Sequence, residues 1–127
     1  MRRLPLFLLL AAIACRAVAA GPDAIEPKAL VERIAWADAS LVVLDVRTPA
    51  EFAEGHVPGA VNIPHTELAA RIAELSGARD KDIVVYCRAG GRADLALGVL
   101  GKAGFKRLYH LKGDYTRWTE ENRPVVK

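Results

Sequence analysis

Two short stretches constrain the fold more than anything else in the chain. Leu41-Val42-Val43-Leu44-Asp45-Val46 and Ile83-Val84-Val85-Tyr86-Cys87 are apolar and β-branched at successive positions, not alternate ones. A strand with apolar side chains on both sides must be covered on both faces, which is the habit of parallel sheets packed between helices. The intervening segments read as helices and turns. Glu26-Pro27 opens a short helix, with proline in the first turn and Leu30, Val31 and Ile34 on one side. Pro49 starts a helical turn through Glu51 and Phe52, Gly55 to Ala60 has turn chemistry, and Val61-Asn62-Ile63 is a short strand stopped by Pro64. Thr66 is expected to cap a helix carrying Leu68, Ile72 and Leu75, with Gly77 past its end. A turn over Arg88 to Gly91 leads into a helix with Ala96, Val99, Leu100 and Ala103 on one side, closed by Gly104. Arg107 to Leu111 is the last strand, and Asp114 to Glu121 the last helix. Alternating strands and helices predict an α/β domain, with a mainly parallel central sheet flanked by helices on both faces.

The first residues follow a different logic. Met1-Arg2-Arg3 is basic, Leu4 to Cys15 is almost unbroken apolar, and Ala17-Val18-Ala19-Ala20 supplies small residues. This is the layout of a secretory signal peptide, with cleavage expected after Ala19 or Ala20. The apolar run is shorter than the ~20 residues of a permanent span. Two alternatives are a lipid attached at Cys15, although Ala12 stands where leucine is usual, and an uncleaved N-terminal anchor. The expected organisation is therefore a signal peptide over 1–20, a loose lead-in over 21–26 and one domain over 27–127. The protein is expected to be periplasmic or secreted, without a stable membrane span.

Removing that leader changes the charge. Lys plus Arg number 18 against 15 Asp plus Glu in the whole chain, and Arg2, Arg3 and Arg16 leave with the leader, so the remainder is neutral. A nucleic-acid partner loses its electrostatic motive. Of the two cysteines, Cys15 lies in the leader, so Cys87 remains alone and no internal disulfide forms. One cysteine and three scattered histidines give no metal-ligand spacing, and nothing calls for an organic cofactor.

Cys87 stands at the carboxyl end of the second apolar strand, followed by Arg88-Ala89-Gly90-Gly91-Arg92 and a helix start. Ligands of open α/β sheets bind at that edge. The turn and first helical amides are expected to form an anion cradle, with Arg88 and Arg92 adding positive charge. Each feature favours thiolate over thiol and marks Cys87 as the nucleophile. Gly90 and Gly91 allow the tight curl.

These residues resemble the rhodanese family. Asp45-Val46-Arg47-Thr48-Pro49-Ala50-Glu51-Phe52, then Glu54 through Pro64, match its first signature, and Val84 through Arg92 match its active-site region. Ala103-Gly104-Phe105 and Leu111-Lys112-Gly113 through Trp118 match its end, so the likeness spans about 27–126. The resemblance implies a sulfurtransferase in which Cys87 takes sulfane sulfur from a small anion such as thiosulfate or from polysulfide. The acceptor is cyanide or a thiol, including a protein thiol, and Arg88 to Arg92 bind the donor. The chain is also similar to the exported single-domain members linked to the phage-shock response. A non-catalytic sulfur-carrier or docking module is the alternative. Two departures stand out: Ala89 and Gly91 replace polar loop residues, commonly Ser and Asn, and Asp114 replaces a second glycine. Asp114 is expected to accept turn geometry and cap the following helix.

Four residues separate Cys87 from Arg92, one fewer than in the related cysteine phosphatases, and the loop has no acid for a leaving group. A thiol redox enzyme would need a second cysteine. Asp45 and Arg47 read as structural partners, and His56 as a hydrogen-bonded turn residue. His65 and His110 are expected at surface or strand-end positions, and Trp36 and Trp118 in core or edge packing. Arg88 is expected to guide an anionic donor.

Overall fold

The computed structural model describes residues 21–127. The leader reading over 1–20, with its cleavage site and the Cys15 alternative, lies outside the described residues. The chain runs β1 (Asp23–Ile25), α1 (Pro27–Ala35), β2 (Leu41–Asp45), α2 (Pro49–Glu54) and β3 (Val61–Asn62). A 3₁₀ helix (Ile72–Ala78) follows, then β4 (Asp82–Tyr86), α3 (Gly91–Lys102), β5 (Leu108–Leu111) and α4 (Asp114–Glu120). The five strands form one sheet in the order β1-β5-β4-β2-β3, and every pairing between them is parallel.

The two apolar runs are β2 and β4, side by side in register from Leu41 opposite Asp82 to Asp45 opposite Tyr86. Both faces of β4 are buried because its side chains alternate between two cores. Ile83, Val85 and, just beyond the strand, Cys87 join Leu97 and Leu100 of α3 and Leu75 of the 3₁₀ helix. Val84 and Tyr86 join Leu30 of α1 and Trp118 of α4. Trp118 also donates its indole N–H to the Pro124 carbonyl at 2.7 Å, as a buried indole requires.

Three expectations fail. The lead-in is not loose: Asp23 to Ile25 pair with Tyr109 to Leu111. Three residues with Ile25 alone buried carry no readable period. The helix expected from Thr66 is a run of turns ending in the 3₁₀ helix, with Gly77 inside it. Most of its bonds close three residues back, as from Glu67 N–H to Pro64 O and from Glu74 N–H to Arg71 O, while Arg71 N–H is shared between Leu68 O and Glu67 O. Ile72, Leu75 and Ala78 recur every third residue, the spacing that lines up on a 3₁₀ helix. Trp36 is not packed at all, being 84% exposed. It caps α1 just before Ala37, whose left-handed φ of 49° turns the chain away.

Among the described residues, no helix is long and apolar enough to cross a membrane, and no group of acidic, histidine and cysteine side chains is arranged to hold a metal ion.

Candidate active site

Parallel pairing brings the carboxyl ends of β2, β4 and β5 together, and Cys87 follows the middle one. The residue is 1% exposed, and its sulfur forms the floor of the loop. The Gly90 N–H donates to Sγ at 3.0 Å. Gly90 has φ of 121°, a value that glycine alone takes without strain, and this aims its amide back at the sulfur. Arg88, Ala89 and Gly91 are exposed around Gly90, while Arg92 is half-buried in the first turn of α3. The loop is clamped from the far side by α4. Tyr115 N–H donates to Cys87 O at 3.0 Å, Thr116 N–H to Arg88 O at 3.1 Å, and Thr116 Oγ1 to Arg88 O at 2.8 Å.

The expected positive charge divides between two different environments. Arg92 pairs with Glu51, with Nη1 to Oε1 at 2.7 Å and Nη2 to Oε2 at 3.0 Å. Glu51 is also fixed from its own helix, because Thr48 and Glu51 form a reciprocal capping box. The Arg92 bonds, with help from Thr48, hold the Glu51 carboxyl down to about 2. Arg92 is therefore neutralised beside the loop, not free for an anion. Arg88 instead lines an open cavity of about 390 Å³ with Arg47, Glu51, Glu54 and Tyr115. A larger groove of about 680 Å³ runs along α3 and β1 and includes Asp94, and Cys87 lines neither of the two.

Asp45 and Arg47 are structural, as expected. Asp45 is 0% exposed and Arg47 3%. Asp45 accepts from Arg47 Nη2 at 2.7 Å and from the Tyr86 hydroxyl at 2.7 Å, while Arg47 also donates to Gly55 O at 2.7 Å. Tyr86 accepts from Val57 N–H at 3.1 Å. Burial, with the Asp45 charge, pushes the Tyr86 phenol far up, so it stays a neutral donor. These bonds tie the ends of β2 and β4 to α2, one residue before Cys87. His56 stacks on Phe52 at 3.6 Å and binds Phe52 O through Nδ1 at 2.9 Å.

Two residues differ from expectation. Asp114 does take turn geometry, with φ of 53°, but its side chain caps no helix. It is 3% exposed, and Oδ1 accepts from Cys87 N–H at 3.0 Å and lies 3.7 Å from Cys87 Sγ. His110 is not a lone strand-end residue: its Nε2 stands 2.9 and 3.1 Å from the two Asp114 oxygens, and its Nδ1 is 3.3 Å from Asp94 Oδ1.

Residues 26–121 match the rhodanese-like domain. The chain belongs to the rhodanese-like domain family. Over 102 residues it is 35% identical to a sulfurtransferase of Allochromatium vinosum, covering 80% of this chain and 92% of that one. A chloroplastic thiosulfate sulfurtransferase of Arabidopsis thaliana is 35% identical over 93 residues, covering 65% of this chain and 77% of that one. The crystal structure of a rhodanese-related protein from Thermoplasma volcanium superposes with a TM-score of 0.71 at 34% identity, covering 82% of this chain and 97% of that one. Sulfur transfer in general is the chemistry these relatives support for the rhodanese-like domain.

Proposed function

We propose that this rhodanese-like protein transfers sulfur through a persulfide on Cys87, with thiosulfate or polysulfide as donor and a thiol, or cyanide in vitro, as acceptor. The observation that carries the reading is Cys87 Sγ at the carboxyl end of the central strand, receiving the Gly90 N–H at 3.0 Å. The Cys87 thiolate attacks the outer sulfur of thiosulfate, and the S–S bond breaks with its electron pair leaving on sulfite. The persulfide then loses its outer sulfur to the acceptor, and the electron pair returns to Cys87. No outside oxidant or reductant is consumed. Arg88, exposed at the open cavity, guides the anionic donor, and the backbone of Ala89, Gly90, Gly91 and Arg92 encloses the persulfide.

Intact mass after incubation with thiosulfate tests the cycle. The expected result is a gain of one sulfur atom, lost on adding cyanide and absent in Cys87→Ser. Loading retained by Cys87→Ser sinks the mechanism, and loading without turnover on any acceptor leaves a sulfur-carrier module instead. We further place the protein outside the cytoplasm, on the strength of the basic start, apolar run and small residues of positions 1–20. Cell fractionation with N-terminal sequencing tests this, and a cytoplasmic protein beginning at Met1 would refute it.

A further inference from the structure

Sulfur transfer as written above uses neither Asp114 nor His110, yet Asp114 lies against Cys87 and His110 against Asp114. Gly113 and Asp114 take successive left-handed φ values of 76° and 53°, which turns the Asp114 carboxylate inward to the Cys87 amide and sulfur. His110, four residues earlier on β5, bonds both oxygens of that carboxylate, at 2.9 Å to the Oδ1 that also faces Cys87 and at 3.1 Å to Oδ2. The groups facing the imidazole come from every neighbouring element: Asp114 from α4, Asp94 from α3 and, beyond Asp114, Cys87 at the end of β4. On the β1 side the residue opposite is Ala24, which carries no charge. Asp94 is 73% exposed in its side chain and lines the groove along α3, so protons reach this chain from solvent. Both ring nitrogens face carboxylates, and only the imidazolium donates to both.

A carboxylate 3.7 Å from a sulfur opposes the thiolate, which is the reactive form. A cation bound to the same carboxylate offsets that opposition. We propose that Asp114 and His110 are positioning residues that set the reactivity of Cys87: Asp114 holds the thiol at rest, and the His110 imidazolium neutralises Asp114 so that the sulfur ionises. The S–H bond breaks with its electron pair on sulfur, and the proton departs to water. This rests on Cys87 as the nucleophile, and extends that reading to two residues outside the loop.

The test is the rate of Cys87 alkylation by iodoacetamide against pH, with no sulfur donor present. The two variants should move in opposite directions. At about pH 6, His110→Gln reacts several-fold more slowly than the native chain and Asp114→Asn several-fold faster, because each change alters one charge beside the sulfur. Asparagine keeps an oxygen for the Cys87 amide and tolerates the left-handed backbone. Both variants slowing together, or either matching the native chain, overturns the proposal. Alkylation that follows this pattern in a protein that never takes up sulfur would refute the persulfide cycle alone.

Discussion

Replacing Asp45 by Asn separates a structural role for the Asp45–Arg47 pair from a catalytic one. Asparagine fits the space and keeps one acceptor, so no cavity opens. What disappears is the negative charge against a guanidinium that is 3% exposed, along with the charge-assisted bonds from Arg47 Nη2 and the Tyr86 hydroxyl, each 2.7 Å long. Stripping one partner from a buried ion pair costs about 3–5 kcal/mol, because the remaining charge is left uncompensated. The Tyr115 ring face, 4.0 Å from Arg47 Cζ, is present before and after the change and does not restore the balance. The expected loss is therefore about 3–5 kcal/mol, a large share of the ~5–15 kcal/mol typical of a domain. Urea unfolding followed by tryptophan fluorescence reads it as a lower midpoint with an unchanged slope. Turnover per folded molecule should stay close to native. Asp45→Asn with Arg47→Met should be less damaged than the sum of the single changes, because the stranded charge is gone. A loss below about 1 kcal/mol, or native stability with abolished turnover, would refute the structural assignment.

Three further outcomes follow from the site. Arg88→Ala should raise the thiosulfate KM about tenfold, the scale of one lost charge-assisted bond, with kcat much less changed; steady-state kinetics giving an unchanged KM removes Arg88 from donor guidance. Gly90→Ala forces a side chain onto φ of 121° with its Cβ 3.3 Å from Asp114 Oδ2. It should cost about 1–3 kcal/mol and slow Cys87 alkylation, and native values in both assays would show the loop relaxing freely. Arg92 holds the folded Glu51 at about 2 against an ordinary 4.5, so the pair's stabilisation is full above about 4.5 and lost as pH falls toward 2. Glu51→Gln should remove that part of the acid limb in urea midpoints taken at about pH 5 and pH 3, and parallel losses in both proteins would contradict it.

The parts of the fold that were legible are those where one physical demand acts on consecutive residues. The runs at β2 and β4 need cover on both faces, and Pro49 opens α2 where the sequence expects a helical turn through Glu51 and Phe52. Gly104, with φ of 92° just after α3, closes that helix as its sequence indicates. Where the demand came from elsewhere, the reading failed. β1 is a strand because β5 offers it an open edge, and nothing within Asp23-Ala24-Ile25 says so. The apolar spacing of Leu68, Ile72 and Leu75 suits an α-helix, whereas the 3₁₀ helix that forms lines up Ile72, Leu75 and Ala78 and leaves Leu68 in the turns before it.

The site divides in the same way, and the reason is register. Cys87 and its loop are contiguous, so their chemistry can be read along the chain. His110 reaches them only because it pairs with Val85 across β4 and β5. Side chains alternate along a strand, so Val85 and Cys87 point to one face, and the partner of Val85 points there too. A slip of one residue would send His110 to the opposite face, toward Tyr86 and Trp118. Asp114 depends on the same register, since it follows β5 by way of Gly113, whose left-handed turn decides where the carboxylate points. An aspartate in place of a second glycine reads locally as turn chemistry. Only the pairing of β5 with β4 makes it a charge at the sulfur, and that same strand brings His110 to the carboxylate.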